Sequence, residues 1–289
     1  MRNKLKFQGG LTRLLCRKKA EINKINFAKH PSFPSDQLIL KSHQLNFDII
    51  SFSGASNFED QILSIYSLLY YAGRPFKWTI YSDKSYTEEH KEIFRKKFDF
   101  VEVKEWDVYD QYITIKPISD YLNVCPLGKK LNIILGHDCA RQTIYLDSDI
   151  MFYKNSPYYL NNALLSRGLW YAPDALGDVG DYFSIIRESI YPLNSGLLIF
   201  NKSFNAEDIY EYLENLKGNY SYFSEQSSFE YAFRKQGANM LDPRQFVIDT
   251  SDQFDFSMNH HPGDIAMRHY TSPVRHKMWQ KGWKWHFDK

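Results

Sequence analysis

Thr143-Ile-Tyr-Leu-Asp-Ser-Asp-Ile-Met-Phe152 is the stretch that decides the fold of this 289-residue chain. An apolar, β-type run precedes Asp147, and a second such run, Ile150-Met-Phe-Tyr153, follows Asp149. Aspartate is poorly suited to a buried strand and is expensive to bury without partners. We therefore expect a strand that ends on two carboxylates, which face a metal ion or a hydrogen-bond network.

The spacing of the two aspartates suits a shared ligand. Residues two apart in an extended chain point to the same side, so Asp147 and Asp149 present their carboxylates together. Hard divalent cations prefer such oxygens, and a cation of this kind neutralises charge on a leaving diphosphate. The same Asp-Ser-Asp triplet could also form a solvated turn without a function. The position of the triplet within a buried apolar run favours the metal site.

Strands and helices alternate on the N-terminal side of this stretch. Asp48-Ile-Ile-Ser-Phe52 and Lys77-Trp-Thr-Ile-Tyr81 are typical of strands, and helical periodicity follows each of them. The pattern predicts an α/β fold with a central, mostly parallel sheet, helices on both faces and a Rossmann-like nucleotide-binding half. In such sheets, ligands bind at the carboxyl ends of the strands.

The N-terminal region differs from the rest in charge. Residues 1–31 contain nine Lys or Arg and one acid, Glu21, so this segment has a charge of +8 and the remainder has −6. We expect residues 1–45 to form a basic N-terminal arm and residues 46–289 to form one catalytic domain. The arm favours contact with an anionic membrane or a polyanionic acceptor, whereas the negative remainder argues against nucleic-acid binding.

Cysteine usage and hydropathy indicate the compartment. Cys16, Cys125 and Cys139 are odd in number and unrelated in spacing, which argues against a disulfide framework and a clustered zinc site. No apolar stretch approaches the roughly 20 residues of a membrane span, and the N-terminus lacks the apolar core of a signal peptide. We expect a cytoplasmic protein with peripheral membrane contact.

The Asp triplet and its flanks resemble the metal-binding segment of the glycogenin-like, retaining glycosyltransferases of family 8. Further matches follow in the family's order and extend over about 48–279. They are Ser51–Gly54, Lys129-Lys130-Leu131, Leu193-Asn-Ser-Gly-Leu-Leu198, Glu225-Gln226, and Arg268-His-Tyr-Thr-Ser-Pro273 with Lys277-Met-Trp279. The resemblance implies a GT-A fold.

The resemblance also implies a set of site residues. Asp147, Asp149 and His269 would bind Mn²⁺ or Mg²⁺, and the histidine tilts the preference towards manganese. Glu225 and Gln226 would be catalytic, with Gln226 against the reacting sugar carbon and Glu225 on sugar hydroxyls. The implied donor-binding residues are Ser51, Ser53, Gly54, Lys130, Asp147, Ser148, Asn194, Ser195, Ser272 and Lys277.

The sequence departs from the family pattern near its C-terminus. Ser272 stands where the family has Gly, Met278 where it has Pro, and two extra residues separate His269 from Lys277. The phosphate contacts of this segment are therefore open, and Arg275 rivals Lys277. The aromatic, basic tail at 275–289 is expected to pack on the domain as a partial lid, with a membrane interface as the alternative.

The implied reaction is transfer of a hexose from a UDP-sugar to the hydroxyl of a carbohydrate, lipid-linked or protein acceptor, with retention. Retention without a visible nucleophile favours front-side attack, whereas inversion needs a carboxylate base. Asp174, Asp178 and Asp181 are the available candidates for that base, but the Gly-rich stretch 173–181 that contains them favours an acceptor loop instead. A nucleotidyltransferase is the alternative among enzymes, although a Gly-rich triphosphate loop is missing after the first strand. A non-catalytic carbohydrate-binding or scaffold protein is the alternative outside them.

Overall fold

A central sheet organises the chain, of which the computed structural model describes residues 2–28, 42–107, 115–175, 191–253 and 258–284. Its strand order is β3-β2-β1-β4-β7-β6-β8. The strands are β1 (Asp48–Ser53), β2 (Lys77–Ser82), β3 (Val101–Glu105), β4 (Thr143–Leu146), β6 (Trp170–Pro173), β7 (Leu193–Phe200) and β8 (Asn239–Met240). The predicted mixed α/β architecture is therefore confirmed.

The sheet is mostly parallel, as the sequence predicts. Strands β3, β2, β1 and β4 run parallel to one another. Strand β7 is antiparallel to both of its neighbours, β4 and β6, and β6 is parallel to β8. The chain proceeds outward from β1 through β2 to β3 and then returns to the other side of β1 for β4. In such sheets, ligands usually bind beside a reversal of this kind, which here corresponds to the carboxyl ends of β1 and β4.

Helices cover both faces of the sheet because its strands are apolar on both sides. Ile49 and Ile50 are successive residues of β1, and they enter different hydrophobic clusters. One cluster includes Ile62 and Leu63, and the other includes Leu131. The main helices of this part are α2 (Phe58–Tyr71), α3 (Glu88–Lys97), α4 (Lys116–Val124), α5 (Leu127–Gly136), α6 (Ser156–Leu165), α7 (Glu207–Asn215) and α8 (Ser224–Lys235).

A small second sheet brings the C-terminal region to the Asp triplet. Its strands are β5 (Ile150–Phe152), β10 (Met267–His269) and β9 (Phe246–Val247), in the order β5-β10-β9. Strand β10 runs antiparallel to β5 and places His269 opposite Ile150. The backbone N–H of Tyr270 donates to the carbonyl of Asp149 at 2.9 Å. The chain thus passes from the large sheet to the small one through residues 147–149.

Residues 2–28, which the sequence predicts to be part of a basic arm, form one helix, α1 (Arg2–Ala28). Its buried side, with Cys16, Ala20 and Phe27, packs on the C-terminal segment. This segment consists of α9 (Arg275–Lys277) and the π-helical turn Met278–Gly282 that follows it. None of the helices in the described ranges is both long and apolar enough to cross a membrane.

Candidate metal and donor site

The three predicted metal ligands lie together at the junction of the two sheets. One potential ligand atom each from Asp147, Asp149 and His269 falls within 4.8 Å of the others. His269 Nε2 lies 3.0 Å from Asp149 Oδ1 and 3.7 Å from Asp147 Oδ2. The side chain of Asp147 is 27% exposed, whereas those of Asp149 and His269 are buried. A ligand from solvent would therefore meet Asp147 first.

Asn194 fixes the orientation of the His269 ring. The backbone N–H of Gly196 donates to Asn194 Oδ1 at 2.9 Å, and the same oxygen lies 3.0 Å from His269 Nδ1. Nδ1 therefore donates to Asn194, and Nε2 faces the two aspartates. A Cβ atom at Gly196 would collide with the His269 ring, which explains the glycine at this position.

The position facing Nε2 requires a positive charge. With the Nδ1 proton held by Asn194, either a second proton or a cation must lie between Nε2 and the carboxylates. Burial opposes protonation of His269, but the pKa is raised because Asp149 and Asp147 outweigh that effect. The donor set of two carboxylates and one imidazole fits a divalent cation such as Mn²⁺.

Arg275 occupies the other oxygen of Asp149. Its Nε and Nη2 lie 3.0 and 2.5 Å from Asp149 Oδ2, and its Nη1 donates to Asn57 Oδ1 at 3.2 Å. Burial opposes ionisation of Asp149, but His269 and Arg275 outweigh it and lower the pKa. Asp149 is thus a carboxylate held between two cationic groups.

Lys130 holds a second part of the cluster. Its Nζ lies 3.4 Å from Asp147 Oδ1 and 3.5 Å from Glu225 Oε1, and it donates to Ser195 Oγ at 3.0 Å. Ser195 Oγ donates in turn to Glu225 Oε2 at 3.0 Å. Burial opposes the charge on Lys130, yet Asp147 and Glu225 raise its pKa. Burial also raises the pKa of Glu225, which Lys130 offsets only in part.

Tyr145 is a site residue that the sequence analysis missed. Its hydroxyl donates to Asp147 Oδ1 at 2.8 Å, and its ring lies 4.7 Å from Lys130 Nζ. The available signal was its position two residues before Asp147, since such residues share a face of the strand.

Gln226 and Asp174 join the cluster through Asn194. Gln226 Nε2 donates to Asp174 Oδ2 at 2.9 Å, and Asn194 Nδ2 donates to the same oxygen at 3.2 Å. The Asp174 carboxylate therefore connects Gln226 to the residue that orients His269. The other two candidate bases, Asp178 and Asp181, lie outside the described residues.

The serines predicted at the end of β1 have partners within the fold. Ser51 Oγ accepts from Trp78 Nε1 at 2.9 Å, and Ser53 Oγ accepts from the Tyr86 hydroxyl at 2.9 Å. A Cβ atom at Gly54 would collide with the Asp83 carboxylate. This strand end is therefore closely packed against β2 and the loop after it.

The remaining predicted donor residues are spread around the cluster. Ser148, which separates the two aspartates in the sequence, is buried, whereas Ser272 is exposed. Lys277 is fully buried, and its rival Arg275 is the residue that contacts Asp149. Of the two basic side chains, Arg275 is thus the one that the structure brings to the predicted metal ligands.

Structural comparison identifies known proteins with this fold. Galactosyltransferase LgtC, solved with donor and acceptor sugar analogs, superposes with a TM-score of 0.53 and 12% identity over 83% of this chain and 100% of that chain. Mouse xyloside xylosyltransferase 1 gives 0.54 and 14% over 80% and 99% of the respective chains. Glycosyltransferase GlyE of Streptococcus pneumoniae gives 0.52 and 14% over 84% of this chain and 62% of its own.

Sequence comparison adds no relative to these structures. Neither a protein-family model nor a curated protein matches the sequence. At 12–14% identity, the structural likeness shows the fold alone. The chain has the GT-A glycosyltransferase fold, as the sequence predicts.

Proposed function

We propose that the chain is a metal-dependent glycosyltransferase that moves a hexose from a UDP-sugar to an acceptor hydroxyl. The observation that supports this most is the convergence of Asp147, Asp149 and His269 at the carboxyl edge of β4 on a GT-A fold. These residues would hold Mn²⁺ or Mg²⁺. When bound, the ion neutralises the charge that develops on the leaving diphosphate.

Two basic side chains flank the proposed donor site and give it a second source of positive charge. Lys130 is buried between Asp147 and Glu225, so its ammonium group is fixed in place. Arg275 is 41% exposed and reaches Asp149 from the surface, so a phosphate from solvent would meet its guanidinium beside the metal ligands. We assign Arg275 the diphosphate contact that the family resemblance places at Lys277.

Retention of configuration is part of the proposal. The carboxyl group of Glu225 is buried and pairs with Lys130, so it is not free to attack the sugar. Gln226 presents an amide, which is a weak nucleophile. These groups favour front-side attack with a stabilised leaving group over a covalent intermediate. In an inverting transfer, Asp174 would be the base, but two amides already occupy one oxygen of its carboxylate.

Turnover of a donor without acceptor tests the proposal. We expect the protein with Mn²⁺ to hydrolyse UDP-glucose or UDP-galactose slowly to UDP and the sugar, with the α-anomer appearing first in proton NMR. The Asp149→Asn variant should lose this hydrolysis. Release of pyrophosphate from UTP and a sugar phosphate would identify a nucleotidyltransferase instead. Binding of UDP-sugar without any turnover, with or without acceptor sugars, would support the non-catalytic alternative.

A further inference from the structure

The outward face of α1 is a second apolar face on a helix whose inner face is already buried. At about 100° per residue, its exposed leucines and isoleucines fall in a sector about 100° wide, opposite Cys16 and Phe27. These side chains are 49–59% exposed, and they are Leu11, Leu14, Leu15, Ile22 and Ile25. We call this set the outer stripe. Such a stripe on a helix that is already docked is available for a partner outside the chain.

Basic side chains accompany the outer stripe. Lys18 lies in the middle of the sector, and Arg17 and Lys19 lie beyond its two edges. All three are exposed. Residues 10–28 contain five basic residues and a single acid, Glu21. The stripe is thus apolar with cationic groups at its centre and flanks.

The inner face of α1 anchors the helix to the body of the protein. Lys24 Nζ lies 3.0 Å from Asp60 Oδ1 of α2, and Asn23 Nδ2 donates to the Trp279 carbonyl at 2.9 Å. Gln280 Nε2 donates to Cys16 Sγ at 3.5 Å. Because these contacts hold the inner face, the outer stripe keeps its outward direction.

We propose that the outer stripe lies in the plane of an anionic membrane surface. A half-exposed Leu and Ile face flanked by Lys and Arg is the pattern of interfacial helices, which insert only their apolar side chains. Lysine stems lie along apolar surface while their ammonium groups reach the lipid headgroups. The five basic residues and the single acid of residues 10–28 give this helix a net positive charge, which favours contact with anionic lipid.

The position of Lys18 favours a bilayer over a protein partner. A protein that covered the outer stripe would remove the Lys18 ammonium from water at the centre of the contact, which is costly without a paired acid. At a membrane, the same group remains hydrated among phosphates. The proposal does not depend on the enzymatic assignment, since it rests on α1 alone.

Vesicle sedimentation of the full chain tests the proposal without reference to turnover. The vesicles contain either phosphatidylcholine alone or phosphatidylcholine and phosphatidylglycerol in equal amounts, at low and high salt. The stripe variant, Leu14→Gln/Ile22→Gln/Ile25→Gln, replaces three apolar side chains and preserves the charge. The lysine variant, Lys18→Gln/Lys19→Gln, removes two positive charges. The matched controls are Val124→Gln/Tyr158→Gln/Leu165→Gln and Lys96→Gln/Lys154→Gln, which change exposed residues elsewhere.

We expect the wild type to bind the anionic vesicles and to bind phosphatidylcholine about tenfold less. Both α1 variants should lose about tenfold or more in affinity for anionic vesicles, at unchanged melting temperature, and both controls should bind as the wild type does. Equal binding by the stripe variant and the wild type would overturn the proposal. A wild type that binds neither kind of vesicle would also overturn it. A wild type that binds no vesicles but forms dimers, which the stripe variant does not form, would show that the outer stripe contacts a second copy of the chain instead.

Discussion

Acidic and cationic side chains balance one another in the site. Asp149 lies between His269 and Arg275, and Lys130 lies between Asp147 and Glu225. A divalent cation among the three ligands would tip this balance to a positive charge. The negative charge of a diphosphate would offset this positive charge, which gives cooperative binding of metal and nucleotide a physical cause.

The Asp149→Asn substitution should strongly weaken metal-dependent binding of UDP while keeping the side-chain volume. The amide removes a charged ligand and leaves Arg275 and His269 without their carboxylate. We expect the affinity for UDP in the presence of Mn²⁺ to fall by about a hundredfold in titration calorimetry. The exposed Asp138→Asn is the control. Unchanged affinity and metal dependence in Asp149→Asn would show that the metal site is wrongly assigned.

The Arg275→Gln substitution should affect metal and nucleotide in opposite directions. Arg275 competes with a cation for Asp149 Oδ2, so its loss should tighten Mn²⁺ binding severalfold in the absence of nucleotide. The same loss should weaken UDP binding at saturating Mn²⁺ by about tenfold, since one phosphate contact disappears. Calorimetry measures both quantities, with the exposed Lys281→Gln as the control. If both affinities fall together, Arg275 supports the shape of the site and does not contact the phosphates.

Single elements differ in how far the sequence predicts them. Strands β1, β2 and β4 follow from apolar runs that end at Ser or Asp, and the structure confirms them. The pairing of β5 with β10 joins short strands that are distant in sequence, so local patterns give no signal for it. Only the family resemblance placed His269 beside the aspartates. Arg275 could not be chosen over Lys277, because the insertion before it leaves the spacing open.

Helix α1 escaped prediction for a different reason. Its apolar residues lie on two opposite faces, one buried and one exposed, so a single amphipathic period does not emerge. Gly9 and Gly10 lie within the helix and lower its intrinsic propensity. Packing on the C-terminal segment, which the sequence does not reveal, stabilises it instead.

The contact between α1 and the C-terminal segment should weaken in acid. His276 is buried there, and burial, followed by Lys277, Arg17 and Arg13, lowers its pKa to about 4. Neither ring nitrogen has a hydrogen-bond partner among the described residues. In the unfolded chain His276 binds a proton near pH 6.5, whereas in the folded chain its pKa of about 4 keeps it neutral until the pH is lower. The free energy of unfolding therefore falls as the pH decreases through this window.

Urea unfolding at about pH 7 and about pH 5 measures this effect. Between these pH values, the free energy of unfolding of the wild type should fall by about 1 kcal/mol more than that of the His276→Gln variant, after allowance for partial solvent screening. The exposed His261→Gln should behave as the wild type does. Identical pH dependence of the wild type and His276→Gln would mean that the folded protein accepts the proton on His276 without cost.

The two ends of the described chain support the proposed donor site at the scale of the whole molecule. Asp60 of α2 accepts from Trp279 Nε1 at 2.5 Å and pairs with Lys24 of α1. Asn57, at the start of the same helix, accepts from Arg275. A continuous set of contacts therefore leads from α1 through the C-terminal segment to Asp149, and the position of Arg275 should depend on the docking of α1.

The Phe27→Ala substitution tests this dependence. Phe27 is 1% exposed, and its ring centroid lies 4.9 Å from that of Trp279 and 6.4 Å from that of Trp283. Truncation should lower the free energy of unfolding by about 3 kcal/mol and loosen the segment that positions Arg275. We expect limited proteolysis to cut within 275–284 faster, and UDP with Mn²⁺ to bind about tenfold more weakly and to protect the segment less. Ile25→Ala, on the exposed side of the same helix, should change none of these. If Phe27→Ala loses stability but keeps wild-type UDP affinity and protection, α1 stabilises the fold without positioning Arg275.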